Sequence, residues 1–387
     1  MKLTINQFLQ KSLDELNKGN FQEAEKCYRT ILKVQPKNIE AHYNLAVTLI
    51  NSKKFNEGIN SYQNAIKFKP DFIEAHYNLA VTLINSKKFN EGINSYHNAI
   101  KFKPDFIEAH NNLGNVLHGL KRLNEAKTSY QNAIKFKPDF AEAHNNLGNI
   151  YLDLGELNKA ELSYKKALSL KQGYIKTKNN IKLISSLKKL MLNIEKEKIS
   201  NSTNLSIINP VMNLSPDPFI TNRSVESYLI NYLHKIKSRK LDETKDARFG
   251  NGKCSTDFYL FDDSEDIIKL LEKDLVNIMS QAVGSKIHVL DSFFNIMGVG
   301  DGTKPHNHIT PFDKTTSLSN QKYSLVYYLS VGDQSSSDPG ILKLYDPNKE
   351  ILPIEGMIVI IPANRKHSAI YNGKKDRIMI GSNFYSL

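Results

Sequence analysis

The residues with the clearest chemical potential lie in one short segment, KPHNH at 304–308. On a β-strand, residues i and i+2 point to the same face, so His306 and His308 could direct two imidazoles at one point. A third histidine, His367, follows later in the chain. Imidazole is a common ligand for iron, zinc, copper and nickel. The three histidines are therefore a candidate metal site.

A basic residue, Arg377, follows the last of these histidines. A guanidinium can pair with a carboxylate through two parallel hydrogen bonds. Arg377 is therefore a candidate to hold the carboxylate of an organic co-substrate beside the metal. The alternative is an ordinary surface salt bridge.

The elements that must position these side chains are short apolar runs that follow Gly284. The runs read KIHVLDSFFNIM, KYSLVYYLSV, GILKLYD, GMIVIIP and RIMIGSNFYS, and Gly, Pro, Asp and Asn separate them. This pattern is typical of an all-β sandwich or barrel. Two amphipathic helices are predicted before the strands, at 225–240 and 264–283. Residues 221–387 are thus predicted to form a jelly-roll (double-stranded β-helix) domain with flanking helices.

The first half of the chain is a repeat array. Prolines recur every 34 residues, at Pro36, Pro70, Pro104 and Pro138. A period of 34 with two helical patterns per unit is the tetratricopeptide signature. Five units are predicted to start near Ile5, Ile39, Ile73, Ile107 and Ala141. Residues 174–191 are predicted to be the helix that caps the stack, so 1–191 should form an all-α superhelix.

A linker is predicted over 192–220, where the repeat pattern ends and Asn, Ser and Pro become frequent. The alternative is that apolar residues near 207–212 form the first strand of the next domain. Both interpretations place a domain boundary in this region.

The charge, the cysteine count and the lengths of the apolar stretches argue against several classes of protein. The formal charge of +12 comes from lysines that are spread along the repeats, so we do not expect a nucleic-acid partner. There are two cysteines, Cys27 and Cys254, which excludes a disulfide framework or a cysteine metal cluster. No stretch approaches 18 apolar residues, so we expect no membrane insertion. A soluble protein of the cytoplasm is the expectation.

The last hundred residues resemble a family of 2-oxoglutarate- and iron(II)-dependent oxygenases. The resemblance is carried by PHNH, by a strand ending in YYL, by a DP turn, by GMIVIIP, and by an Arg before a terminal strand. The matching positions are Pro305, His306, His308, Tyr327, Tyr328, Asp346, Pro347, Gly356, Pro362, His367, Arg377 and Asn383. The resemblance implies Fe(II) and 2-oxoglutarate as cofactors. It implies that Arg377 binds the distal carboxylate of 2-oxoglutarate, with Tyr327 and Asn383 in the same pocket.

The chain departs from that family at one ligand position. The usual set is His-x-Asp/Glu with a distal His, but position 308 carries histidine. Three interpretations stay open. His306, His308 and His367 could all bind the metal. Asp313 could supply a carboxylate from the following loop. Alternatively, one histidine could contact substrate and leave two strong ligands.

Asparagines recur in the repeats at the same 34-residue spacing, at Asn44, Asn78, Asn112 and Asn146. The AHNNLGN-type sequence resembles the repeats of O-linked N-acetylglucosamine transferases, and this resemblance implies an asparagine ladder that holds an extended peptide. An amide offers both a donor and an acceptor, which matches a peptide unit. The alternative is that these asparagines stabilise the stack or face water.

Two function classes follow. The first is a dioxygenase that hydroxylates a substrate with O₂, Fe(II) and 2-oxoglutarate, while the repeats recruit a protein or peptide partner. The second is a non-catalytic tetratricopeptide scaffold with a degenerate jelly-roll binding domain. The missing carboxylate keeps the second class open.

Overall fold

The computed structural model describes residues 5–203, 217–236, 238–240, 252–255, 258–298, 300–335 and 339–387. The chain divides into two compact units. The first comprises 1–151 with 159–177, and the second comprises 152–158 with 178–387. Among the described residues, no helix is long and apolar enough to cross a membrane.

The repeat array is a superhelix of paired helices, as predicted. Within the described residues the ten repeat helices are α1 (Ile5–Asn17), α2 (Phe21–Val34), α3 (Ile39–Asn51), α4 (Phe55–Phe68), α5 (Ile73–Asn85), α6 (Phe89–Phe102), α7 (Ile107–Gly119), α8 (Leu123–Phe136), α9 (Ala141–Asp153) and α10 (Leu157–Leu170). The first helix of every unit begins at the residue that the periodicity predicts. Each second helix ends before the loop that contains the repeat proline or its Gln172 equivalent, because proline disfavours helix continuation.

Small residues let the two helices of each unit approach closely. At Gly114 an added Cβ would lie 2.6 Å from the ring of Tyr130, and this tyrosine is 1% exposed. At Gly58 an added Cβ would lie 2.5 Å from the side chain of Ile50. A larger residue at either position would force the pair apart, since packed interiors have little free volume.

The recurrent histidines fix the loop between units. The Nε2 of His42, His76 and His110 lies 2.8 Å from the carbonyl oxygen of the proline six residues earlier. Because a carbonyl only accepts, Nε2 carries the proton and donates. Each ring also packs on a phenylalanine, as His76 does on Phe102 at 5.7 Å between centroids. These histidines are structural.

Helix α11 (Ile175–Thr203) extends well beyond the predicted capping segment. The first part of the predicted linker, 192–203, is therefore helical, and 204–216 lie outside the described residues. Within the second unit, Leu187, Leu190 and Ile194 are buried in one apolar cluster with residues of the β-rich region. The apolar spacing therefore extends the helix past 191 and gives it a second packing role.

The second unit contains two antiparallel sheets. The strands are β1 (Phe219–Asn222), β2 (Ser238–Lys240), β3 (Lys253–Ser255), β4 (Ile287–Met297), β5 (Asp301–His306), β6 (Lys322–Ser330), β7 (Leu342–Leu344), β8 (Lys349–Ile351), β9 (Met357–Pro362), β10 (His367–Tyr371) and β11 (Arg377–Ser386). The larger sheet has the order β1-β9-β6-β11-β4-β3-β2, and the smaller has the order β5-β10-β7-β8. The β-rich expectation is met, while the finer jelly-roll assignment stays a prediction.

Helices cover one face of the larger sheet. They are α12 (Ser227–Lys235) and α13 (Asp266–Val283), and a short α14 (Pro311–Thr315) follows β5. Leucines and isoleucines of α12 and α13 share one core with β4, β6, β9 and β11. Residues of the opposite face, including Met297 and Tyr328, share a second core with strands of the smaller sheet. The space between the two sheets holds the candidate site.

Candidate metal centre

Two adjacent strands of the smaller sheet bring the histidines together. His306 ends β5 and His367 begins β10, and the two are register partners in the antiparallel ladder. His308 lies two residues beyond β5, where its backbone N–H donates to the carbonyl of Ala363 at 2.8 Å. The backbone thus places three histidines from distant parts of the sequence at one corner of the sheet.

The three imidazoles converge. Their candidate ligand atoms all lie within 4.8 Å of one another, and the Nε2 atoms of His308 and His367 are 3.3 Å apart. Nitrogens that each lie roughly 2 Å from a first-row metal must be about 3 Å apart when adjacent in an octahedral shell. This donor set therefore fits a divalent transition metal after small side-chain shifts.

The protonation of the histidines suits metal binding. Burial, assisted by the neighbouring His306, lowers the pKa of His367 to about 4, against the opposing effect of the Arg365 carbonyl. His367 is therefore neutral near pH 7, which is the ligand form of imidazole. Its Nδ1 lies 3.2 Å from the carbonyl of Arg365, and the Nδ1 of His306 lies 2.7 Å from that of Lys304. These carbonyls hold the Nδ1 protons and leave Nε2 as the ligand atom.

A cavity of about 60 Å³ lies against the histidines between the sheets. Its polar wall on the larger sheet includes Asn295, Ser324 and Asn383. The amide of Asn383 is fixed, since its Nδ2 donates to the carboxylate of Asp291 and its Oδ1 accepts from Ser324 Oγ at 2.5 Å. Asn383 thus lies in the wall of the pocket, and its binding of a cofactor stays a prediction.

Arg377 does not take the predicted position. It lies on the same face of β11 as the cavity-lining Met379, but it is not among the described residues that line the cavity. Its guanidinium donates to the carbonyls of Val331, Pro339 and Gly340. The prediction that Arg377 points at the metal cavity is therefore wrong for this arrangement.

Tyr327 also differs from its prediction. Its ring belongs to the core beneath α12 and α13, and its hydroxyl donates to the carbonyl of Ser224 at 2.8 Å. The next residue, Tyr328, lines the cavity instead. Successive strand residues point to opposite faces, so only one tyrosine of the pair can reach the site. The resemblance placed Tyr327 in the pocket, but Tyr328 is the tyrosine that lines it.

Asp313 is committed to a structural role. Its carboxylate closes the capping box of α14 with Thr310. It also accepts from Lys322 Nζ at 2.9 Å and from the Tyr385 hydroxyl at 2.5 Å. Both side chains are buried, with Asp313 at 0% and Lys322 at 3% exposure. The alternative in which Asp313 binds the metal is therefore not supported by the geometry.

The repeat asparagines connect neighbouring units. The Nδ2 of Asn78 donates to the hydroxyl of Tyr43 at 2.8 Å, and that of Asn112 donates to Tyr77 at 2.8 Å. Asn146 instead donates to the side-chain oxygens of Asn111 and Asn115, at 3.3 and 3.1 Å. Asn44, in the first helix of its own unit, is half-buried like the others. The amide of Asn78 retains a second N–H and an oxygen lone pair for another partner.

Sequence reasoning missed several participants. Thr303, Leu342 and Met379 line the cavity, but their residue types carry no signal that separates them from core residues. The tyrosine partners of the asparagines could have been found, because Tyr-Asn dipeptides recur at 43–44 and 77–78. That recurrence at the repeat period predicts a contact from one unit to the next.

Comparisons with known families identify the repeats. Residues 49–87, 83–121 and 120–155 match the TPR repeat family, and 141–174 and 15–38 match tetratricopeptide repeat families. The repeat prediction is confirmed, and repeats of this kind support a protein-interaction scaffold. All matched residues lie in the first half of the chain, so the resemblance of the last hundred residues to the oxygenases stays a prediction.

Several solved structures are similar to part of this chain. A crystal structure of MamA is 24% identical, with a TM-score of 0.42 and coverage of 43% of this chain and 92% of that one. MamA from Desulfovibrio magneticus RS-1, from residue 41 to its end, is 18% identical, with a TM-score of 0.41 and coverage of 44% and 96%. YrrB, described as a TPR protein with an unusual peptide-binding site, is 16% identical, with a TM-score of 0.40 and coverage of 44% and 88%. No curated protein sequence matches this chain.

Proposed function

We propose that this protein is an Fe(II)-dependent oxygenase whose tetratricopeptide repeats recruit a protein or peptide partner. The observation that carries the proposal is the convergence of His306, His308 and His367, with ligand atoms within 4.8 Å. The three imidazoles would hold the ion on one side and leave its other positions open. When bound, iron would supply the activation of O₂.

The reaction of this class needs a reductant, and a 2-oxo acid such as 2-oxoglutarate would supply it. One oxygen atom of O₂ enters a C–H bond of the substrate as a hydroxyl group. The other enters the 2-oxo acid, which loses its carboxylate as CO₂ and becomes an acid one carbon shorter. In this chain the histidines would hold the metal, and the buried wall of Asn295, Ser324 and Asn383 would orient bound molecules by hydrogen bonds.

A non-catalytic scaffold is the second candidate, and specific observations favour it. The guanidinium of Arg377 donates to three backbone carbonyls, so it does not bind a co-substrate in this arrangement. The carboxylate of Asp313 accepts hydrogen bonds from Lys322 and Tyr385, so it does not bind the metal. In this candidate the repeats would bind a partner, and the histidines would hold a structural ion or none.

Metal binding is the first test. The full chain would be purified under anaerobic conditions, and Fe(II) or Co(II) binding would be measured for the wild type and for His367→Ala. We expect about one ion per chain in the wild type and at least a tenfold loss of affinity in the variant, because a buried ligand is removed. His234→Ala is the matched control, since His234 is exposed on α12 and should change nothing.

Turnover separates the two candidates. We expect the iron-loaded wild type to consume O₂ together with a 2-oxo acid, and His367→Ala to lose this consumption. A protein that binds the metal but consumes no O₂ with any 2-oxo acid would favour the scaffold. A protein that binds no metal would remove the oxygenase proposal.

The repeat surface needs a test that separates partner contact from stacking. Asn112→Ala removes both the amide and its bond to Tyr77, whereas Tyr77→Phe removes that bond alone. If the amide contacts a peptide, Asn112→Ala should weaken partner capture by about 0.5–1.5 kcal/mol, and Tyr77→Phe should leave it unchanged. Equal effects from the two variants would show that the asparagine acts through the stack.

A further inference from the structure

We infer that the cavity beside the three histidines selects a 2-oxo acid with an uncharged tail, and disfavours a dicarboxylate such as 2-oxoglutarate. This inference rests on the proposed function, because it concerns the co-substrate of the same site. It departs from the co-substrate that the sequence resemblance implies. Two features carry it: the charge of the cavity wall and the engagement of Arg377.

The cavity wall lacks a cation among the residues that the structure describes. Apart from the histidines, its lining is made of neutral side chains: Phe293, Asn295, Met297, Thr303, Ser324, Leu325, Val326, Tyr328, Leu342, Ala369, Met379, Gly381, Ser382 and Asn383. A metal ion can bind the 2-oxo carboxylate at one end of the acid. A second carboxylate at the other end would be buried without a partner, which costs several kcal/mol.

Two buried arginines lie in this region, and both are engaged elsewhere. Arg365 does not line the cavity and donates to the carbonyl of Pro347 at 2.7 Å. Arg377, to which the sequence resemblance assigned the distal carboxylate, is also held away from the cavity. Its guanidinium donates to the carbonyls of Val331, Pro339 and Gly340, and it lies 4.6 Å from the ring centroid of Tyr371. It is 0% exposed. Turning it toward the metal would leave those buried carbonyls without their donor, which is unfavourable.

Two side chains of the cavity wall lie beside Arg377. The ring of Tyr328 lines the cavity and has the guanidinium 5.8 Å from its centroid. Met379 follows Arg377 on the same face of β11 and also lines the cavity. Arg377 is therefore a neighbour of the cavity wall but does not line the cavity.

The lysines of this region belong to a different groove. Lys304 and Lys343 line a separate cavity of about 570 Å³, together with Tyr345 and Ser368. Lys343 is also paired with Glu350 at 3.3 Å. Neither lysine lines the cavity beside the histidines.

The apolar part of the cavity wall suits an uncharged tail. Met379, Val326 and Leu342 line the cavity and would pack against the alkyl tail of such an acid.

The test is a binding comparison on the wild-type full chain, so no variant has to fold. The protein is loaded with Co(II) in the absence of O₂ and titrated with 2-oxobutyrate and with 2-oxoglutarate. Calorimetry gives the affinities, and the visible Co(II) spectrum reports ligand entry to the metal. We expect 2-oxobutyrate to bind at least tenfold more tightly than 2-oxoglutarate.

Equal affinities, or tighter binding of 2-oxoglutarate, would overturn the inference and leave the proposed oxygenase standing. Binding of Co(II) with no response to either acid would overturn the inference and the use of a 2-oxo acid together. Failure to bind Co(II) would remove the metal centre and the inference with it. The outcomes therefore separate failure of this inference from failure of the proposed function.

Discussion

A buried guanidinium ordinarily pairs with an anion, but Arg377 has only neutral partners among the described residues. Three carbonyl oxygens accept its hydrogen bonds, and the rings of Tyr328 and Tyr371 lie beside it. Burial lowers the pKa of Arg377, while the two tyrosines oppose that change. The charge is thus stabilised by dipoles and ring faces. This role connects β11 to the segment before β7.

Arg377→Met should destabilise the second unit by at least about 2 kcal/mol, because the carbonyls lose charged donors. Urea unfolding followed by circular dichroism would measure the change in the free energy of unfolding. Lys374→Met is the matched control, since Lys374 is exposed and its removal should cost little. A variant as stable as the control would contradict this account of Arg377.

The residues of the site were predictable to different degrees. The histidines could be named from the sequence because their type and spacing limit what they can do. The orientation of Tyr327 against Tyr328 depends on which face of β6 meets the helices, which local sequence does not specify. The partners of Arg377 lie in a segment some 40 residues earlier in the chain. Contacts over such separations follow from the tertiary fold.

At the scale of elements, the turn inside each repeat places one residue in the left-handed region of backbone conformation. In every unit, the residue two positions before the start of the second helix has a positive φ. These residues are Gly19, Lys53, Lys87, Lys121 and Gly155, with φ values of 80°, 62°, 62°, 63° and 75°. The left-handed region costs a residue with a Cβ roughly 1–2 kcal/mol. The first and fifth units avoid this cost with glycine, and the three middle units do not.

Lys87→Gly should therefore stabilise the repeats by up to about 1 kcal/mol, after the greater flexibility of glycine in the unfolded chain is subtracted. Thermal unfolding of the single variant, and of the triple variant at 53, 87 and 121, would measure the gain. Lys88→Gly is the control, because Lys88 has a φ of −87° and should gain nothing. A loss of stability in Lys87→Gly equal to that of the control would contradict the strain.

Helix α11 contacts strand β4 through a titratable group. The Nε2 of His288 lies 2.9 Å from Ser186 Oγ. Burial, and then the nearby Lys189, lower the pKa of His288, while its bond to Ser186 opposes them. The unfolded chain therefore takes up a proton at higher pH than the folded chain does. This contribution to stability is present above about pH 6.5 and is lost as the pH falls below it.

His288→Gln should flatten the pH dependence of unfolding below about pH 6.5. Urea unfolding of the wild type and the variant between pH 7.5 and pH 5 would show the difference. His234→Gln, at an exposed position of α12, should retain the wild-type profile. Parallel profiles for the wild type and His288→Gln would exclude this role for His288.

The start of the first helix in each repeat was predicted, because a 34-residue period repeated five times leaves one consistent alignment. In the second unit, the apolar runs predicted β4, β6, β7, β9 and β11. They did not predict β5, where DGTKPH is polar and contains proline, or the short strands β1, β2, β3, β8 and β10. Those strands are formed by pairing with neighbours, and intrinsic propensity contributes little to them.

At the scale of the whole molecule, the two units should respond differently to metal. Binding to the folded state alone raises stability by about 2.7 kcal/mol when the free ion is at 100 times its Kd. Calorimetry of the full chain should therefore show one transition that moves upward with Co(II) and one that does not. His367→Ala should lose the shift. Equal shifts of all transitions would contradict a single site in the second unit.

The second and third repeats, 39–72 and 73–106, differ at one position, where Gln63 is matched by His97. The hydrogen bonds between units are also equivalent, because Asn78 donates to the hydroxyl of Tyr43 as Asn112 donates to that of Tyr77. Deletion of residues 73–106 would join Phe72 to Ile107. Asn112 could then donate to the hydroxyl of Tyr43, as Asn78 does in the full array. Tandem segments this similar invite unequal recombination in the gene. Copy number is thus the property of this array most open to natural variation, and a chain with one unit fewer should still fold.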